Sequence, residues 1–281
     1  MTEISGKSIN TLVEDIYKVL SEGKDIGKEA DEFGKRMADL IKTRLAPRQA
    51  REGTLRLSNL GKKDRQLWYE THNTPREEFT PSTFFKFLYG DILEELVLCL
   101  AEVAGHTVEG RQGEVRVDGI LGHRDAFIDG ILVDVKSASS YAFKKFKEGT
   151  LKDDDPFGYY TQLSGYMADP VYNRTHGAFL AVDKQNGTLA LLPVSAGDTG
   201  DIHTRIAHLK EVVAKDTPPE RCYEPEPMGK GGNMKLPVGC SYCDFKKECW
   251  SDVGLRKFVY STGPVWLTTV VDPPRVMEVE P

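Results

Sequence analysis

Three residues in the stretch Gly122–Ser137, GHRDAFIDGILVDVKS, have the types and spacing to do chemistry: Asp125, Asp134 and Lys136. Asp129-Gly130 between two apolar runs predicts a two-residue hairpin turn, because both central residues of a type I′ turn need positive φ. That turn fixes the register. Ile128 faces Ile131, Phe127 faces Leu132, and counting outward places Asp125 opposite Asp134, with Cβ atoms ~5 Å apart. Lys136 shares the Asp134 face by strand alternation. Ala126, Ile128, Ile131, Val133 and Val135 make the other face apolar, so the hairpin is expected to be buried on both sides. Opposed like charges in a buried sheet are destabilising unless compensated, and a hard divalent cation with oxygen ligands is the simplest compensation. The pattern therefore predicts a Mg²⁺ or Mn²⁺ site. A surface hairpin with Lys136 as an ordinary salt-bridge partner fits the same residues.

Other residues are candidates for the same chemistry. Gln162 and Tyr166 lie one turn apart on a helix predicted from about Tyr159 to Met167. Asp91, Glu94 and Glu95 interrupt the apolar stripe of a long helix that follows Thr80-Pro81-Ser82 and ends at Gly105. A carboxylate there can reach the hairpin acids, or the three form a solvated face favoured by the helix dipole. Downstream of Lys136, residues 137–152 place Lys144, Lys145, Lys147 and Lys152 among Tyr141, Phe143 and Phe146. This composition suits a nucleic-acid backbone beside a metal, or a solvated lysine face. Arg65, with Gln66, Trp68 and Tyr69, offers phosphate and stacking contacts in the same way. Cys222, Cys240, Cys243 and Cys249 form C-x17-C-x2-C-x5-C, read as a zinc or iron-sulfur site in a reducing compartment. A thiol redox pair at Cys240 and Cys243 is the weaker reading. Cys99, inside an apolar helix, is expected to be a core residue.

The elements that must position these groups follow from periodicity. Residues 8–22 and 27–45 read as two amphipathic helices separated by Gly23-Lys24-Asp25, packing on the main domain. Residues 46–56 are basic and turn-rich. Residues 106–121 supply a strand pair or edge, 177–181 and 189–194 read as strands around the Asn186-Gly187 turn, and 202–215 as a helix. The alternation predicts an α/β or α+β sheet domain. At 281 residues, 40% hydrophobic, the chain can bury a full core. No apolar run reaches the ~20 residues of a membrane span, and MTEISGKSIN lacks a signal pattern, so the cytosol is expected and no membrane partner. The net charge of −6 excludes nucleic-acid binding by bulk attraction and leaves it to local basic patches.

Taken together, these motifs resemble the PD-(D/E)XK nuclease superfamily, and within it the RecB-like exonucleases, including phage and CRISPR-associated members with a cysteine cluster. Gly122-x-x-Asp125 matches the family's first acid, Asp134-Val135-Lys136 its (D/E)-x-K, and Gln162-Leu163-Ser164-Gly165-Tyr166 its Q-x-x-x-Y. Gly90-x-x-x-Glu94 falls where relatives carry G-x-x-x-His or an acid. The C-x2-C-x5-C resembles their iron-sulfur staple. The similarity covers roughly residues 54–250. One departure is that relatives place a first cysteine far upstream, where Lys62, Lys63 and Asp64 stand here, and Cys222 takes its part.

The resemblance implies an α/β restriction-endonuclease-like core with a mixed central sheet flanked by helices. It divides the chain into an N-terminal helical arm (1–50), a nuclease core (51–215), a cysteine segment (216–255) and a tail (256–281). It also implies a metal-dependent DNA exonuclease of phage-type replication or recombination. Asp125, Asp134, Glu94 and the Val135 carbonyl would hold Mg²⁺ or Mn²⁺, Lys136 would act on the attacking water and developing charge, and Gln162 and Tyr166 would position the strand. Tyr141, Lys144, Lys145, Lys147 and Arg65 would grip the backbone. The four cysteines would hold a [4Fe-4S] cluster, with Zn²⁺ as the alternative. DNA is the expected partner, alongside a recombination, replication or single-strand-binding protein, and a homo-oligomer is compatible. An endonuclease or spacer-processing nuclease of the same fold, and a nonenzymatic DNA-binding module built on the cysteines, are the competing readings.

Overall fold

The computed structural model describes residues 7–47, 53–76 and 79–280. The amino-terminal six residues, the middle of the basic 46–56 stretch and Pro281 of the tail lie outside it. In chain order the elements are α1 (Leu12–Glu22), α2 (Gly27–Leu45), α3 (Asp64–Thr71), α4 (Pro81–Val103), β1 (Val108–Glu109), β2 (Gly113–Val117), β3 (Ile120–Arg124), β4 (Ala126–Ile128), β5 (Ile131–Ala138), α5 (Ser140–Glu148), α6 (Tyr159–Met167), β6 (His176–Asp183), β7 (Leu189–Ser195) and α7 (Ile202–Val213). They continue with β8 (Glu226–Met228), β9 (Asn233–Lys235), α8 (Val238–Ser241), α9 (Lys246–Cys249), β10 (Arg256–Tyr260), β11 (Gly263–Thr269) and β12 (Met277–Val279). The chain forms two compact units, one of residues 1–51, 55–61 and 79–206, the other of 52–54, 62–78 and 207–281.

The first unit is mixed α/β, as the sequence predicts, with a helical arm at its amino end. Its five-stranded sheet runs β1-β4-β5-β6-β7. Only β5 and β6 are parallel, Asp134 lying beside Phe179, and the pairs on either side are antiparallel. A parallel pair needs a long crossover, which α5 and α6 supply. The hairpin forms as expected, with Ile128 on Ile131, Phe127 on Leu132 and left-handed Asp129 and Gly130 at its turn. One face, through Ala126, Ile128, Val133, Val135, Leu180 and Val182, packs against Leu12 and Ile16 of α1 and Val97, Leu98 and Ala101 of α4. On the other, Phe179 meets Phe146 of α5 and Tyr160 of α6 edge-on. Burial on both faces is why β5 and β6 read as nearly continuous apolar runs.

The arm packs on this unit through α4, but by two different means. Helix α1 inserts its buried Leu12 and Ile16. Helix α2 has no buried residue among those described and is held by ion pairs: Arg36 with Glu95 and Glu102, and Arg44 with Asp91 at 2.5 Å.

In the second unit, a five-stranded antiparallel sheet runs β12-β10-β11-β9-β8. Leu236, Cys240, Trp250, Leu255 and Trp266 form its core. The residues from 256 onward thus include three strands, which the short, proline-interrupted runs of the tail do not signal. No described helix is long and apolar enough to cross a membrane.

Candidate active site

Asp125 occupies the single position between two strands. β3 ends at Arg124 in a two-stranded sheet with β2, and β4 begins at Ala126 in the main sheet. Leaving one sheet for the other frees Asp125 from the ladder, and its Oδ2 accepts the main-chain N–H of Val135 at 2.7 Å. The outward count that pairs Asp125 with Asp134 therefore ends in side-chain proximity, close enough for the charge of Asp134 to act on Asp125.

Lys136, two residues along β5, lies with Nζ 2.6 Å from Asp134 Oδ2, an ion pair whose angles do not make a hydrogen bond. Nζ also donates to Gln162 Oε1 at 3.2 Å and lies over the Tyr159 ring at 4.7 Å. Gln162 Nε2 donates to the Tyr166 hydroxyl at 3.1 Å and reaches Asp134 Oδ1 at 3.5 Å. Residues 159, 162 and 166 recur at three and four, one face of α6. That spacing was a legible signal for Tyr159, which the sequence reading missed.

Gly122 shows why a glycine three residues before the first acid is required. A Cβ there would stand 2.7 Å from Leu57 Cβ and 2.9 Å from Tyr166 Cε1, so β3 approaches α6 only without a side chain. Gly158, the N-cap of α6, has φ +70° and faces Gly61 so closely that a Cβ on either would lie within 2.4 Å of the other's backbone.

The four acids of α4 divide by helical angle. Asp91, Glu95 and Glu102 fall on one face and meet the arginines of α2, whereas Glu94, ~100° away, turns toward the hairpin acids. Glu94 Oε1 accepts from Gln112 Nε2 at 2.7 Å, and the Gln112 main-chain N–H donates to the Asp125 carbonyl at 2.9 Å. Gln112 thus ties two acids of the site from a left-handed turn position, and no motif marks it.

Burial dominates the electrostatics. It pushes Asp125 well above the ordinary carboxylate range, and the charges of Asp134 and Glu94 add to it. Burial also raises Asp134, against the pull of Lys136. Glu94 is raised to about 7 by burial, against its Gln112 hydrogen bond and with the charge of Asp134. Burial works to lower Lys136, but Asp134 and Asp125 outweigh it and hold the ammonium above its usual value. The Tyr166 hydroxyl is raised by burial and by Asp134.

Among the described residues, no three His, Cys, Asp or Glu side chains stand as a ready-made metal-holding group. The chemistry of the donor set nevertheless suits a hard cation. Three carboxylates face one ammonium, and Asp134 Oδ2 is buried without a hydrogen bond.

The basic helix α5 is two-sided. Phe143 and Phe146 are buried, Tyr141 is exposed, Lys144 faces Glu148 at 3.7 Å, Lys145 pairs with Asp154 at 2.5 Å, and Lys147 is exposed. Arg65 lies in α3. Within the second unit its guanidinium donates to Cys249 Sγ at 3.2 Å, to Tyr69 Oη at 3.0 Å and to the Pro219 carbonyl.

The cysteines of that unit share one neighbourhood, and Cys99 belongs to α4 of the first unit. Burial raises Cys240 to about 12 and Cys243 to about 11, with the other cysteines adding to both. Cys222 is raised by burial and by Cys249, while the main-chain N–H groups of Arg65 and Gln66, at the start of α3, lower it. Soft thiol donors with N–H groups aimed at them suit zinc or an iron-sulfur cluster.

No family model matches the chain, and no curated protein matches it. Among solved structures it is similar to the crystal structure of SSO0001, at 18% identity, 79% of this chain, 96% of that chain and a TM-score of 0.43. It is also similar to a phage related exonuclease from Haemophilus somnus 129PT, at 15% identity, 72% of this chain, 89% of that chain and a TM-score of 0.34. Likenesses this slight assign neither a family nor an activity.

Proposed function

We propose that the chain is a metal-dependent DNA exonuclease of the PD-(D/E)XK type, acting in the cytosol in phage-type replication or recombination. The observation that carries this reading is the convergence of Asp125, Asp134 and Lys136 with Gln162 on one buried site, edged by Glu94. A structural ion pair needs one acid per base. Here three acids surround one lysine, and the surplus is what a phosphodiester-cleaving cation site requires.

Asp125, Asp134 and Glu94, with the Val135 carbonyl, are the residues that would hold Mg²⁺ or Mn²⁺, which polarises the scissile phosphate and acidifies the attacking water when bound. Asp125 is oriented by the Val135 N–H, and Glu94 by Gln112. The charges of Asp134 and Asp125 hold the Lys136 ammonium above its usual value, and its part is to act on the attacking water and to stabilise charge developing on the phosphate. Gln162 orients Lys136 through Oε1 and Tyr166 through Nε2. The exposed Tyr141, Lys144 and Lys147 of α5 would contact the backbone, and Arg65 would support the cysteines. Cys222, Cys240, Cys243 and Cys249 would hold a [4Fe-4S] cluster or Zn²⁺. A recombination, replication or single-strand-binding protein is the partner class proposed with it, and a homo-oligomer is compatible.

The test is digestion of linear duplex and single-stranded DNA labelled separately at each end, with Mg²⁺, Mn²⁺ or EDTA, beside Lys136→Ala and a closed circle. Metal-dependent loss of linear DNA, absent in the variant and on the circle, is expected. Cleavage of the circle would make it an endonuclease. No cleavage by protein whose cysteine site is filled would overturn the enzyme reading in favour of a binding module.

A further inference from the structure

Two arginines distant in sequence share the same two glutamates of α4. Arg36 of the arm pairs with Glu95 and, at 3.1 Å, with Glu102, and Arg111 pairs with the same carboxylates at 3.4 Å and 2.9 Å. None of the four side chains is more than 26% exposed, so water and salt screen this ring of charges less than an open surface pair. The remaining contact of the Arg36 guanidinium is with Glu32 of its own helix at 3.8 Å. A change at Arg36 is therefore felt by Arg111 through two shared partners.

Arg111 and Gln112 are the two central residues of one tight turn, closed by the Gly113 N–H donating to the Gly110 carbonyl at 3.1 Å. Gly110 and Gln112 have φ of +62° and +49°, and a glutamine enters that left-handed region only against its own preference. The turn also has no slack. A Cβ at Gly113 would stand 2.5 Å from Arg124 Nη2 and one at Gly110 3.2 Å from it, and Arg124 is itself buried directly before Asp125. Wedged in this way, the two central residues shift together. Arg111 faces the ring of charges, while Gln112 reaches Glu94 at 2.7 Å through Nε2 and the Asp125 carbonyl at 2.9 Å through its main-chain N–H. Glu94 is in turn the chain neighbour of Glu95, so the Gln112–Glu94 bond lies directly alongside the Arg111–Glu95 pair.

We infer that Arg36 is a positioning residue for the cation site. By sharing Glu95 and Glu102 with Arg111 it fixes the Gly110–Gly113 turn, and through Gln112 it fixes Glu94. Without Arg36 both glutamates turn to Arg111 alone, which is drawn toward them and takes Gln112 along. Arg44 supplies the contrast. It joins the same two helices through Asp91 at 2.5 Å, away from the glutamates that meet Arg111, so it docks the arm without acting on the turn. This inference rests on reading the acids as a Mg²⁺ or Mn²⁺ site and makes the helical arm part of that site's support.

The test is Mn²⁺ binding to the full chain, read from the paramagnetic resonance of free Mn²⁺, with Asp134→Asn defining the part due to the acids. Gln112→Ala should weaken that binding about tenfold, as loss of an outer partner of a metal ligand does. Arg36→Ala and Arg111→Ala should each weaken it about fivefold, and Arg44→Ala by less than about twofold. In the Gln112→Ala background, Arg36→Ala should add less than about twofold, a non-additivity that a merely structural ion pair would not produce. Native affinity in Arg36→Ala, an equal loss in Arg44→Ala, or an undiminished further loss in the Gln112→Ala background would each overturn the positioning role and leave the cation site standing. If Arg36→Ala does not fold, Arg111→Ala with and without Gln112→Ala decides by the same criteria. Native protein that binds no Mn²⁺, or binds it equally well as Asp134→Asn, would overturn the cation site and the positioning role together.

Discussion

Val135 donates its main-chain N–H to Asp125 Oδ2 at 2.7 Å, so the strand carrying Asp134 and Lys136 also fixes the acid opposite them. The two carboxyls therefore move as one body. Their separation is set by backbone rather than by flexible side chains, and this is the kind of support that keeps a reactive constellation in register. Substitutions at the site should accordingly act on chemistry more than on assembly.

Lys136→Ala should reduce cleavage by roughly 10²- to 10⁴-fold while leaving DNA binding in EDTA within a few-fold of native, since one charge-stabilising group is worth that much in the transition state. End-labelled digestion beside anisotropy measures both. Equal loss of binding and cleavage would instead make Lys136 a docking residue.

Glu94 gives a signed pH dependence. Its folded pKa of about 7 lies above the ordinary 4.5, so the folded state binds the extra proton between those values. In EDTA its contribution to stability is full below about 4.5, falls as pH rises through 7, and amounts to up to about 3 kcal/mol. Calorimetric melting of native protein against Glu94→Gln should show the native curve falling more steeply across that window. Mg²⁺ or Mn²⁺ should recover stability above pH 7 in the native protein and not in Asp134→Asn, because a ligand that binds only the folded state raises its melting temperature.

Gly122→Ala tests how the first acid is delivered. The new methyl meets Leu57 and the Tyr166 ring at under 3 Å, so α6 must retreat and take Gln162 with it. We expect a loss of about 1–3 kcal/mol in urea unfolding, together with lowered cleavage. Gly119→Ala, where a Cβ meets nothing but φ is +81°, is a control for backbone strain alone.

Cys240→Ser should reduce bound metal to background by elemental analysis and abolish any thiolate-to-metal absorbance, with a lowered melting temperature, because a bound metal's free energy is folding free energy. Native protein purified under reducing, anaerobic conditions that contains neither iron nor zinc would sink the cluster proposal.

What the sequence disclosed follows from how local each signal is. Asp129-Gly130 fixes the hairpin register because the turn and both strands lie within a dozen residues, and α6 begins and ends where its pattern predicts. The division of Asp91 and Glu95 from Glu94 was not legible, since it depends on which helix each face meets, and Arg36 and Arg44 are about fifty residues upstream. Gln112 was invisible for the same reason. It acts through a turn conformation and two partners distant in sequence. Arg65 read as a phosphate contact from its neighbours Trp68 and Tyr69, and only the fold shows its guanidinium engaged by Cys249. The strands after residue 255 are short and carry Pro264, so no alternation of useful length marks them.

The two-residue turn also orders events in time. Asp125 and Asp134 are nine positions apart, so their hairpin can close in microseconds, while the chain around it is still open to water. Glu94 and Gln162 come from helices α4 and α6 and join later, through contacts that span tens of residues. Repulsion between the paired acids is thus met first in a high dielectric, where it is weak, and becomes costly only when helix docking expels the solvent. The step that completes the site is also the step that charges it, and a cation or a proton present at that moment would speed the last stage of folding rather than the first.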